Sequence, residues 1–176
     1  MLKPIWRWTK RLLLFLLIVI VVGLVWPDDI QMPVEGATDA DFNKNTFWFY
    51  PWGKSGTHKG VDIFADRHTP VYSASKGLVI YTGQYKYGGN VVIILGPKWR
   101  FHYYAHLEEI KAVPFTRVNH NSLIGTVGDS GNAKGKATHL HYSIYTFIPQ
   151  FANWGAEHEP YKKLFYVDPI PYIKEN

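Results

Sequence analysis

The chain of 176 residues contains no cysteine. That absence excludes disulfide scaffolds, thiolate zinc fingers, iron–sulfur sites and cysteine nucleophiles. It leaves the compartment open, because a chain without thiols meets no pairing problem in an oxidising one. Low-complexity tracts, collagen-like periods and internal repeats are also missing, and an apolar share of 47% is too high for a disordered chain. A strongly basic surface is lacking too, despite a net charge of +5. Lys3, Arg7, Lys10 and Arg11 carry four of those charges, which leaves 15 basic against 14 acidic residues in the rest. The body has no basic stripe, so nucleic acid is not an expected partner. The length suits one domain of ordinary size.

What the chain does have is a long apolar run near its start. Residues 12–26 read LLLFLLIVIVVGLVW, without a charge. As a helix the run is about 22 Å long, short of a roughly 30 Å hydrocarbon core. The flanks make up the difference. Lys10 and Arg11 can snorkel, Trp6, Trp8 and Trp26 suit the two interfaces, and Pro27-Asp28-Asp29 ends the helix in water. A buried core helix would carry a polar face. A cleaved signal peptide fits the basic start and the run, but no small-x-small site stands near Val25-Trp26-Pro27. An uncleaved bilayer anchor is the expectation. Basic residues before it and aspartates after it put the N-terminus in the cytoplasm and the rest outside.

Three regions follow: a cytoplasmic tip and anchor at 1–27, a polar linker at 28–46, and a domain at 47–176. Within the last, short β-prone runs alternate with turn signals, and no 3.6-residue periodicity appears. Strands are expected at 61–64, 70–73, 77–85, 90–95, 100–106, 123–127 and 139–145. Turns are expected at Tyr87-Gly88-Gly89, Gly96-Pro97 and Asp129-Ser130-Gly131-Asn132. The spacings suit hairpins rather than crossovers, which predicts a mainly β, antiparallel domain.

The chemistry is in the histidines. His58-Lys59-Gly60-Val61-Asp62 enters one strand, and His139-Leu140-His141 lies on another. Positions i and i+2 of a strand share a face, so His139 and His141 point to one place. Imidazole and carboxylate are the zinc ligands left when thiolates are absent, and two His with one Asp leave a fourth position open. An open position marks a catalytic site rather than a structural one. His106 has a core or turn reading on its own. His68, His102, His120 and His158 have no partner by spacing and are expected at the surface or in local hydrogen bonds. Gly60, Gly77, Gly88, Gly89, Gly125 and Gly128 suit turns or close strand approach. Tyr87, Tyr103, Tyr104 and Tyr142 read as buried strand aromatics before groove residues.

Taken together, these motifs resemble the lysostaphin/LytM-type zinc metallopeptidases that cut peptide bonds in peptidoglycan. The likeness covers residues 51–173. After His58-Lys59-Gly60-Val61-Asp62-Ile63 come Thr69-Pro70-Val71 and Ala74-Ser75-Lys76-Gly77. Tyr87-Gly88-Gly89-Asn90, Tyr104-Ala105-His106-Leu107 and Ile124-Gly125-Thr126-Val127-Gly128 follow, then Ser130-Gly131, His139-Leu140-His141-Tyr142 and Val167-Asp168-Pro169. The resemblance implies a lysostaphin-like, barrel-sandwich fold and one zinc ion per chain, held by His58, Asp62 and His141. It implies catalytic roles for His139, as base, and for His106. One of the two would accept the proton of the attacking water and the other would hydrogen-bond the developing oxyanion, with the division between them open. Four departures stand out. His68 occupies a usual glycine position, Ala137-Thr138 replaces Gly-Pro, and 115–121 lacks the usual glycines. The aromatic segment 146–166 is long and is expected to form one rim of the cleft.

The expected function is a zinc-dependent endopeptidase of bacterial peptidoglycan, acting on stem or cross-bridge peptides. It would sit in the bacterial inner (cytoplasmic) membrane with its domain on the extracytoplasmic side. The alternative is a non-catalytic domain of the same fold that scaffolds or activates another wall hydrolase, although all four motif ligands and bases are intact. A more distant reading is a glycan-binding β-sandwich, which predicts no bound metal. The sequence declares no protein partner.

Overall fold

A computed structural model describes residues 3–174. The first and last two residues of the expected tip and domain therefore lie outside the described residues. Helix α1 (Lys3–Val25) is exposed from Trp6 onward except at half-buried Gly23, and Trp6–Val25 is long and apolar enough to cross a membrane.

The strands follow in chain order: β1 (Ile30–Gln31), β2 (Val61–Phe64), β3 (Pro70–Tyr72), β4 (Gly77–Tyr85), β5 (Gly89–Leu95) and β6 (Arg100–Ile110). Then come β7 (Arg117–Val118), β8 (Leu123–Val127), β9 (His139–Thr146), a short helix α2 (Pro160–Lys163), β10 (Tyr166–Val167) and β11 (Ile173–Lys174). The main sheet is antiparallel throughout and runs β10-β9-β6-β5-β4-β7, with β2 added to β9 and β8 joining β3 and β6. It curls into a half-barrel, in keeping with the fold that the resemblance implies. All seven expected strands are present; β6 extends to Ile110, and the short β1, β7, β10 and β11 carry too few residues for a sequence pattern.

Alternation of side chains divides the sheet into two faces. Val92, Ile94, Tyr104, Tyr142 and Ile144 enter the main core with Val61, Ile63 and Leu140. Val91, Ile93 and Ala105 face the other way and pack with Tyr103, Phe101 and Tyr145. The long strand β6 serves both halves of the curl. Up to Ala105 it pairs with β9, and from Leu107 onward it pairs with β8. His106 sits at the change of direction with φ of 63°.

One expectation needs correction. Residues 28–46 do not behave as a linker. Ile30, Met32, Val34 and Phe42 are buried in the main core, β1 pairs with β11, and Val34 bridges Val71. The Asp28 side chain is fully buried against Arg100, whose Nη1 lies 2.8 Å from Asp28 Oδ2. The segment reads as polar because its few apolar residues are scattered among turns, yet those few are the ones that go inside.

Two departures from the family pattern also find their cause. His68 and Phe115 adopt φ of 69° and 64°, the left-handed region that glycine occupies without strain. A glycine at those places is a backbone requirement, here met by side-chain-bearing residues.

Candidate metal centre

Strand pairing builds the site. In the β2–β9 ladder Asp62 stands directly opposite His141, and Phe64 opposite His139. His58 lies three residues before β2, where the loop presses on β9. A Cβ at Gly60 would lie 2.3 Å from the carbonyl oxygen of Tyr142, so only glycine permits this approach. The result is a compact triangle. His58 Nε2 is 3.0 Å from Asp62 Oδ1 and 3.1 Å from His141 Nδ1, and His141 Nδ1 is 2.7 Å from Asp62 Oδ1. Among the described residues these three form a group able to hold a metal ion.

The donor set fits a cation. His58 Nδ1 lies 3.1 Å from the carbonyl oxygen of Thr46, which can only accept, so Nδ1 carries the hydrogen and Nε2 presents a lone pair to the triangle. Burial raises the Asp62 pKa, but the close His141 and His58 rings outweigh it and hold the carboxylate well below its ordinary range. Burial pushes the His141 imidazole down, so its neutral, ligating form is favoured. A tetrahedral ion with bonds of about 2.0 Å places its ligand atoms about 3.3 Å apart, close to the spacings found. Trp52 stacks on His58 with ring centroids 4.1 Å apart.

Two further histidines border the triangle without joining it. His139 Nε2 is 3.9 Å from Asp62 Oδ1, and its Nδ1 is 2.8 Å from the carbonyl oxygen of Ala137. The ring of His106 lies 5.0 Å from that of His139 and 6.0 Å from that of His141. Its backbone N–H donates to Gly88 O, and its Nδ1 faces Ser130 O at 2.8 Å. Ser130 is fixed in turn: its hydroxyl donates to Leu107 O and accepts from Asn90 N. Gly89 makes this junction possible, with φ of 63° and no room for a Cβ beside Ser130. Burial, with smaller contributions from His141 and His139, lowers the His106 pKa to about 4.

The triangle and both histidines open into a cleft of about 1050 Å³ lined by Trp52, Phe64, Tyr85, Tyr87, Tyr103 and Tyr145, among others. Of the four tyrosines expected in the core, Tyr104 and Tyr142 are there, whereas Tyr87 and Tyr103 line the cleft. Segment 146–166 reaches the site as well. Glu159 accepts from Thr57 N, Thr57 Oγ1 and Lys59 Nζ, which ties this segment to the His58 loop, and Tyr166 lines the cleft. Burial raises the Glu159 pKa, but hydrogen bonds from Lys162, Lys59 and Thr57 carry it down to about 2.

The five expected site residues thus converge. His102 does not fit its expectation: it is fully buried, with Nδ1 2.7 Å from the Tyr142 hydroxyl. Strand alternation explains this, since residue 102 shares the core face with Tyr104. Trp52, the Thr46 carbonyl and Glu159 escaped sequence reasoning. Each acts across a loop, and no spacing rule marks a stacking partner or a backbone acceptor.

Comparison with known proteins agrees with this geometry. The profile of Peptidase family M23 matches residues 56–153, more than half of the chain. The chain is 33% identical over 128 residues to the glycyl-glycine endopeptidase ALE-1 of Staphylococcus capitis, covering 71% of this chain and 32% of that protein. It is 33% identical over 87 residues to the peptidoglycan DD-endopeptidase ShyA of Vibrio cholerae serotype O1, covering 49% of this chain and 20% of that one. The chain thus spans a third or less of the length of these relatives. Its fold matches the crystallised catalytic domain of lysostaphin from Staphylococcus simulans with a TM-score of 0.56 and 26% identity, covering 70% of this chain and 84% of that domain. The chain belongs to Peptidase family M23 and is homologous to lysostaphin and to LytM-type peptidoglycan endopeptidases.

Proposed function

From that membership we propose that the chain is a zinc-dependent endopeptidase hydrolysing peptide bonds in bacterial peptidoglycan. We read α1 as its anchor in the cytoplasmic membrane, with the domain on the extracytoplasmic side. The observation that carries the reading is the convergence of His58 Nε2, Asp62 Oδ1 and His141 Nδ1 at the floor of a cleft, with two further histidines beside them. The two relatives differ in the bond their names specify, so stem and cross-bridge peptides both remain within the substrate class.

His58, Asp62 and His141 would hold the zinc. Bound there, zinc polarises a peptide carbonyl and makes water acidic enough to attack near neutral pH. The chain's own contribution is proton handling. The Nδ1 atoms of His139 and His106 face carbonyl oxygens of Ala137 and Ser130, so in the neutral rings both hydrogens sit on Nδ1. Both Nε2 atoms are then acceptors. His106, with its pKa lowered to about 4 by burial and by His141 and His139, is neutral at pH 7 and does not donate from Nε2. His139 lies nearest the ligand set and is positioned to take the proton of the attacking water and pass it to the leaving amine. His106 acts as a second acceptor that orients the water or the substrate N–H. The aromatic walls hold the peptide against the floor.

The test is to incubate zinc-loaded residues 28–176 with purified peptidoglycan and read the products by mass spectrometry beside a chelator-treated control. New peptide ends that vanish with chelator are the expected result, and they name the bond. Intact wall despite bound zinc would refute the enzyme reading and favour a scaffold for another hydrolase.

A further inference from the structure

The chain leaves α1 at Val25 and enters the domain core at Asp28, with only Trp26 and Pro27 between. Asp28 is gripped by Arg100 Nη1 and by the Ser75 hydroxyl, and His120 Nε2 lies 2.8 Å from the carbonyl oxygen of Asp29. No flexible tether separates helix from domain. The loop at 96–99 then turns back onto the helix. Trp99 Nε1 donates to the carbonyl oxygen of Ile20 at 3.0 Å, and its ring covers Gly23 so closely that a Cβ there would lie 2.3 Å from it. Lys98 and Trp99 are both held at positive φ, 56° and 55°, an arrangement that costs energy in residues bearing side chains.

Ile20 and Gly23 belong to the segment able to cross a membrane. At 1.5 Å per residue they lie about 7.5 and 3 Å inside its outer end at Val25. A side chain packed on them shares that depth, and the indole with its single donor is the group best suited to the interface. Lys98 adjoins Trp99, and Lys76 lines a small cleft with Trp26, Asp29 and Pro97, which puts two cations near the outer end of α1, where lipid phosphates would meet them.

We propose that loop 96–99 is a membrane-contact wedge. Trp99 enters the interface at the outer edge of the hydrocarbon layer beside α1, Lys98 and Lys76 meet the phosphates above it, and the domain is docked on the bilayer rather than suspended above it. The proposal rests on the reading of α1 as a membrane anchor. It has a consequence for substrate. Strand β6 starts at Arg100, directly after the wedge, and His106 lies six residues on. At about 3.3 Å per residue the site is held about 20 Å from the wedge. The peptides it reaches are those in the shell next to the membrane.

The chain has no cysteine, so single nitroxide labels can be placed on the full-length protein in phospholipid nanodiscs with a quarter anionic lipid. Labels at Lys98→Cys, Ser55→Cys on the cleft rim and Val19→Cys in α1 are compared by power-saturation EPR with oxygen and a water-soluble nickel chelate. The expected result is deep burial at 19, free access at 55, and several-fold lower access to nickel at 98 than at 55. Adding Trp99→Ala to the Lys98→Cys chain should raise access toward the value at 55. Equal nickel access at 98 and 55 with 19 still deep would overturn the docking while leaving the anchor reading intact. Water access at 19 would remove the anchor and the wedge with it. Unchanged access at 98 in the Trp99→Ala chain would refute Trp99 as the inserted group.

Discussion

Two truncations nineteen residues apart should behave as different proteins. A chain starting at residue 28 keeps the whole core, whereas one starting at 47 loses Ile30, Met32, Val34 and Phe42, all nearly or fully buried. Burial of such side chains stabilises by about 1.5–3 kcal/mol each, so four of them account for roughly 6–12 kcal/mol as an upper estimate. The shorter chain also loses Asp28 and leaves the Arg100 guanidinium, 9% exposed, without its partner. Stranding a buried charge costs about 3–5 kcal/mol more. A domain's entire stability is about 5–15 kcal/mol, so the chain from 47 should not fold. Circular dichroism melts of both proteins decide this: a cooperative transition is expected from 28 and none from 47. Ile30→Ala gives a graded version, a loss of about 2–5 kcal/mol that lowers the Tm by roughly 10 °C. Asp39→Ala, which removes an exposed pair with Lys44, is the control and should change little. A chain from 47 that melts cooperatively within a few degrees of the longer one would refute the reasoning.

Asp62→Asn removes the shared anion of the ligand triangle and should bring zinc content by mass spectrometry from one per chain to near zero. His106→Ala and His139→Ala, in contrast, should keep the metal and lose about 10²–10⁴-fold in wall-cleaving rate; loss of zinc in either would move that residue into the ligand set. The buried His102 has its pKa lowered to about 4 by burial, with Arg100 adding and Asp28 opposing. Between pH 6.5 and 4 the unfolded chain therefore binds the proton that the folded one refuses. Stability from this group is fully present above 6.5 and falls by up to about 3 kcal/mol toward pH 4. Denaturant titrations across that range should show a flatter profile for His102→Gln, and parallel profiles would exclude the assignment. His68→Gly relieves a left-handed residue and should raise stability by about 0.5–1 kcal/mol after the added chain entropy is subtracted; a lower Tm would mean that the His68 side chain makes a compensating contact.

The site was legible in the sequence because its parts obey local rules. His139 and His141 share a strand face by the two-residue period, and His58 and Asp62 lie close enough in sequence for one loop and one strand to present both. What joined them is the β2–β9 register, which sets Asp62 opposite His141. No single-chain pattern states a register between strands separated by 74 residues of other structure. The motif order of a known family stood in for it. His106 was legible only through that order, for its position depends on a left-handed turn in β6 and on a carbonyl from the Ser130 loop. Trp52 and Glu159 had no such support and were invisible.

The reading of residues 28–46 failed for a different reason, and the reason bears on how the site is built. A segment with an apolar residue only every second to eighth position looks like solvated chain when each window is judged alone. Here Ile30, Met32 and Val34 alternate as a strand face against a sheet whose own residues already supply the core. A period of two over five residues is weak evidence locally, but it is sufficient when a preformed surface waits for it. The same segment ends at Thr46, whose carbonyl oxygen fixes the tautomer of His58, and Trp48 and Phe49 bond the His58 backbone on both sides. The stretch that follows α1 is therefore also the support beneath His58, one corner of the His58–Asp62–His141 triangle. Loosening it would unsettle the triangle and detach the domain from α1, the proposed anchor, which ties the position of this site to the integrity of its mount.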